Sequence, residues 1–159
     1  ARGAGVSQFC EKCLEYLDGA PHSATTHVRP VLHQFGWHVG MGADPQGIVS
    51  ATAARGDCTT MAYSPLAEAD PAILTGEPIT SIARALGVSA AQVALRWLWQ
   101  QGVPYAVAAT NPAYQRENID VFGFTLTAAQ MGALTNATLP SGCPFWPGSE
   151  CWKESACPK

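Results

Sequence analysis

The chain has 159 residues, of which 47% are hydrophobic and only 13% charged, and it carries a net charge of -3. A charged share about half the usual one points to a surface partly covered by something else. The lack of a basic field argues against a nucleic-acid partner. The longest apolar stretch, near Val93–Trp99, is far short of the roughly 20 residues that a membrane-spanning helix needs.

Ala4–Ser7 reads as a first short strand, and Phe9–Leu17 follows with helical spacing. Val31–Trp37 is a second strand, and the Ala-rich run Pro45–Arg55 is a helix ended by Gly56. Thr59–Ser64 forms a third strand, stopped by Pro65. Ile79, Ile82, Ala83 and Leu86 share one helical face, and Gly87 closes that helix. Ser89 and Gln92 make a capping box that opens a helix through Trp99. Tyr105–Ala109 is a fourth strand. Asn111-Pro112 then opens a short helix toward Asn118, and Thr127 with Gln130 caps a last one to about Leu134. Nothing is periodic from Pro140 onward. Alternating strands and helices imply βαβ units and a parallel sheet, either doubly wound or part of a barrel.

The order of local motifs separates those two. Gly5-Val6-Ser7-Gln8-Phe9 resembles the GVSNF of the aldo-keto reductases. Leu32-His33-Gln34 with Trp37-His38 is similar to that family's NQ-x-x-x-H segment, and Ala62-Tyr63-Ser64-Pro65-Leu66 to its AYSPL. Gly47-Ile48-Val49, Arg55-Gly56, Ile82-Ala83, the run Ala91 to Trp97, and Arg116-Glu117-Asn118 with Phe122, Phe124, Leu126 and Met131 extend the match in register. The family fold is a (β/α)8 barrel of roughly 250 residues. The resemblance implies half of such a TIM-type barrel, four parallel βα units over residues 1–139, followed by an irregular Cys-, Pro- and Trp-rich tail over 140–159.

The resemblance also assigns roles. The family's Asp-Tyr-Lys-His tetrad comes from its first four units, so no catalytic residue is expected here. His38 falls where the family has a non-catalytic His. Ser7, Gln8 and Gln34 correspond to the residues that hold the nicotinamide carboxamide, and Tyr63, followed by Ser64, to the ring that stacks on it. Thr110 lies near the phosphate end, and Glu117 and Asn118 resemble the adenine-contacting pair. The Lys-Ser pair and Arg that clasp the 2′-phosphate are replaced by Ala108, Ala109 and Tyr114, which carry no positive charge. The expected reading is therefore a catalytically silent subunit with a structural or contact role in a larger assembly, respiratory or photosynthetic for example, binding no cofactor. The alternative is the C-terminal part of a carbonyl reductase that uses NADPH.

A half-barrel leaves strand edges at Ala4–Ser7 and Tyr105–Ala109, which a protein partner would cover. Beginning at Ala1 without an initiator Met, the chain reads as processed or as a piece of something longer. Cysteines at 10, 13, 58, 143, 151 and 157 fit either a disulfide-stapled tail in an oxidising or organellar compartment or a set of reduced thiols. Cys10 and Cys13 have redox-motif spacing, but no second such pair suggests zinc, and no metal site is expected. Asn136-Ala137-Thr138 has the glycosylation pattern. Phe145, Trp146 and Trp152 make the tail either a cover for a barrel mouth or a docking surface.

Overall fold

The computed structural model describes residues 3–9, 11–19 and 29–137. Four parallel strands form one sheet in the order β1-β2-β3-β4. They are β1 (Ala4–Ser7), β2 (Pro30–Gly36), β3 (Thr59–Tyr63) and β4 (Tyr105–Ala106). The helices are α1 (Glu11–Gly19), α2 (Ile48–Ala54), α3 (Pro71–Leu74), α4 (Ile79–Leu86), α5 (Ala90–Gln100), α6 (Pro112–Ile119) and α7 (Ala128–Asn136). Strand order follows chain order and every pair is parallel, as successive units of a barrel require.

Alternation along β2 separates the two faces of the sheet. His33 and Phe35, with Trp37 beyond the strand, are fully buried, whereas Leu32 and Gln34 are half-buried. The helices close over the His33–Phe35 side. There Phe35, Trp37, Ala62, Val93, Ala94, Trp97 and Leu98 belong to one core. Trp97 meets Trp37 edge-on at 5.6 Å, and its indole N–H donates to Thr135 Oγ1 at 3.0 Å, which fastens α7 to α5. Each such large apolar side chain contributes about 2–3 kcal/mol by burial.

The helix ends follow from local chemistry. Both expected capping boxes form, Ser89 with Gln92 on α5 and Thr127 with Gln130 on α7. Gly87 ends α4 in the left-handed conformation at φ 67°. Four expected boundaries need correction. The helix anticipated from Pro45 is a 3-10 turn over Pro45–Gly47, and α2 starts only at Ile48. Gly47 is left-handed at φ 74° and interrupts it, while the Asp44 carboxylate caps α2 from outside by accepting from the N–H of Val49 and Ser50. The first helix begins at Glu11 rather than Phe9 because Gln8 is left-handed, at φ 62°. The strand expected over Tyr105–Ala109 covers two residues, since β3 ends after pairing Ala62 with Tyr105 and Tyr63 with Ala106. α7 runs on to Asn136.

Two features were not anticipated. One is the left-handed turn Ala67–Ala69. The other is α3, which Asp70 caps by accepting from Ala72 N at 2.8 Å, with Pro71 in the first helical position. The Asp-Pro pair was the available signal. Among the described residues no helix is long and apolar enough to cross a membrane.

Candidate functional site

In a parallel sheet, register partners point to the same face. Ser7 pairs with Gln34, Gln34 with Met61, and Gly36 with Tyr63. Ser7, Gln34, Met61 and Tyr63 therefore share the face opposite the helix-covered core. Ser7 ends β1, Tyr63 ends β3, and Gln34 lies in the last half of β2. They converge at the carboxyl ends of the strands, the end at which βα loops gather.

The backbone around them is tightly set. Gln8 N donates to Gln34 O at 2.9 Å, and Trp37 N to Tyr63 O at 3.4 Å. Gln34 Nε2 reaches Met61 Sδ at 3.4 Å, a weak acceptor that leaves the amide available for a better one. Gln8 Oε1 is buried with no hydrogen-bond partner among the described residues. Such a group lowers the free energy of any arrangement that brings a donor to it. Burial raises the Tyr63 phenol above its usual value, with Glu68 adding to the effect, so it stays protonated at neutral pH. Ser64, next in the chain, is left-handed at φ 44° and accepts from Ala67 N, which turns the chain sharply away from the strand end.

The other expected residues lie in the loop after β4 and in α6. Thr110 is exposed beyond β4, and Asn111 just after it caps α6 by accepting from Ala113 N. Ala108 and Tyr114 are exposed and Ala109 is half-buried, so no cationic side chain occupies these positions. Glu117 accepts from Ser89 Oγ, and Asn118 is buried in α6. Gln92 Nε2 donates to Asp120 O at 2.6 Å. These contacts dock α6 against the start of α5. His38 is buried, its Nδ1–H donates to Val39 O, and desolvation lowers its pKa.

One pair escaped the sequence reading. His33 Nδ1 lies 2.8 Å from Thr52 Oγ1, and both residues are fully buried. The alternation of His33, Phe35 and Trp37 along the inward side of β2 was the signal that this histidine is internal. Among the described residues no group of three or more His, Cys, Asp or Glu side chains could hold a metal ion. Cys10, the three tail cysteines, Thr138 of the glycosylation triplet and the Trp-rich tail lie outside the described residues.

Comparison with known proteins gives a consistent result. The model of the aldo/keto reductase family matches residues 1–138. The D-galacturonate reductase of Fragaria ananassa is 32% identical over 154 residues, covering 91% of this chain and 44% of its own length. The 2,5-diketo-D-gluconic acid reductase B of Corynebacterium sp. is 36% identical over 134 residues, covering 84% of this chain and 45% of its own. The crystal structure of a Gox0644 mutant in complex with NADPH superimposes with a TM-score of 0.72 at 29% identity, over 89% of this chain and 49% of that one. The chain thus spans about half the length of the relatives it matches.

Proposed function

This chain belongs to the aldo/keto reductase family, and from that premise we propose that it forms the nicotinamide-side half of a carbonyl-reducing oxidoreductase. The observation that carries the reading is the convergence of Ser7, Gln34 and Tyr63 on one sheet face at the strand carboxyl ends. When bound, a reduced nicotinamide supplies hydride. Ser7 and Gln34 offer donors and acceptors for a carboxamide, and Tyr63 offers an aromatic face. The Gox0644 complex with NADPH supports a dinucleotide as ligand.

The proton that a reduced carbonyl needs must come from a group outside this chain, because none here matches the family's acid. Efficient reduction of an unpolarised carbonyl requires one. At the adenosine end, Ala108, Ala109 and Tyr114 supply no cation for a 2′-phosphate, and the loss of charge-assisted donors removes about two decades of affinity. NADPH and NADH therefore bind alike.

That same loss favours a second reading, a silent subunit kept for contacts. Among the described residues β1 and β4 each pair on one side only, and a protein partner covering those edges suits both readings.

The test is to titrate the purified chain with NADH and with NADPH while following the NMR signals of Ser7, Gln34 and Tyr63, and to assay turnover of an aromatic aldehyde. All three signals should move, to a similar extent with either cofactor, with no turnover. Unmoved signals would leave the contact-subunit reading in its place. Binding of NADPH that is much tighter than that of NADH would show that another residue clasps the phosphate. Turnover by this chain alone would place a catalytic acid within it.

A further inference from the structure

The turn that carries Ser7 and Gln8 is held from behind the sheet. Gln8 is a non-glycine residue at φ 62°, a conformation costing about 1–2 kcal/mol that persists only where its surroundings impose it. Two bonds impose it. One is Gln8 N to Gln34 O at 2.9 Å. The other is unusual, because Phe9 N–H donates at 3.2 Å to a side chain, the Nε2 of His33.

An N–H at Phe9 requires a lone pair at Nε2, so the neutral ring carries its proton on Nδ1. That proton faces Thr52 Oγ1 at 2.8 Å. Thr52 lies in α2 and His33 in β2, so a helix hydroxyl accepts from a strand imidazole, which in turn holds a loop amide just after the neighbouring strand β1. Both side chains are fully buried, so water does not compete for these bonds. His33 points to the helix-covered side while Gln34, its neighbour, points to the candidate site. The ring thus lies on the far side of the sheet from the candidate site, yet it holds the turn at Gln8, next in the chain to Ser7.

We infer that His33, an Nδ1–H tautomer that donates to Thr52 and accepts from Phe9 N–H, is a positioning residue that fixes the Ser7–Gln8 turn for ligand binding. The inference rests on the nicotinamide-side reading for the identity of the ligand. The pinning itself is measurable without one.

The experiment compares His33→Leu, His33→Gln and Thr52→Val in the full chain by amide hydrogen exchange and by the ¹⁵N shifts of the His33 ring. His33→Leu removes the acceptor, and the Phe9 and Gln8 amides should exchange roughly five- to tenfold faster, the loss expected for one hydrogen bond. His33→Gln places an amide oxygen near the position of Nε2 and should restore most of the protection at Phe9. Thr52→Val leaves the ring in place but removes its partner. The ring shifts should then show mixed tautomers, with an intermediate loss of protection.

A residue that only fills space would be replaced equally well by Leu. Protection unchanged in His33→Leu, or a failure of Gln to restore what Leu loses, would overturn the inference. Should His33→Leu not fold, the wild-type ring shifts and Thr52→Val decide alone. A ring protonated on Nε2 in the wild type would overturn it. NADH, titrated as the probe into wild type and His33→Gln, separates the two proposals. Failure of NADH to move the Gln34 signals while Phe9 stays pinned overturns the nicotinamide reading and with it the ligand-binding role, but not the pin.

Discussion

Replacing Ser89 with Ala should destabilise the chain by more than the loss of an ordinary helix cap. Ser89 Oγ accepts from Gln92 N at 3.1 Å, and losing that cap costs about 1 kcal/mol. The same hydroxyl donates to the Glu117 carboxylate of α6. A hydrogen bond to a charged group contributes about 1.5–3 kcal/mol when buried, and half-exposure here reduces that to about 1 kcal/mol. The expected total is about 2 kcal/mol, or about 4–8 °C in Tm for a chain of this size. Gln92 still accepts from Ser89 N and donates to Asp120 O, so α5 itself should survive the change. Urea denaturation of Ser89→Ala, Glu117→Ala and the double variant gives the coupling between the two residues, expected near 1 kcal/mol. A coupling below about 0.3 kcal/mol would mean that Glu117 does not dock α6 on α5 and is available to a ligand instead.

Three further outcomes are expected. Burial, helped by the charge of Arg55, lowers the His33 pKa from 6.5 to about 4. Within that window the unfolded chain binds a proton that the folded chain does not. Stability should therefore fall as pH drops from about 6.5 to 4, by at most about 3 kcal/mol, and this contribution should level off below. Denaturation of wild type and His33→Gln at pH 7 and 4.5 isolates it, and equal pH slopes would refute the assignment. Trp97→Phe removes the N–H that reaches Thr135 and part of the edge contact with Trp37. It should cost about 2–3 kcal/mol, and a cost under about 1 kcal/mol in the same assay would contradict the fastening of α7 through this ring. Gly87→Ala should cost about 1 kcal/mol through the backbone alone, because the position has φ +67° and an added Cβ would meet nothing within 4 Å. Gly87→Asn should recover much of it, and a loss with Asn as large as with Ala would point to a steric cause.

Local signals in the sequence settled those elements whose ends are decided within a few residues. The capping boxes at Ser89 and Thr127, the Gly87 stop and the apolar stripe of Ile79, Ile82, Ala83 and Leu86 each depend on neighbours three or four positions away. The motif series from Gly5 onward identified the family and, through it, the parallel half-barrel. Tertiary structure decided what depends on distant partners. β4 is short because β3 turns away after Tyr63. α1 starts late because Gln8 before it is left-handed, in a turn whose next amide, Phe9, is held by a histidine 24 residues on. Glu117 points to Ser89 because α6 packs on the start of α5. None of these can be read from composition or period, since a hydrogen bond across 24 or 28 residues leaves no periodic trace in the chain.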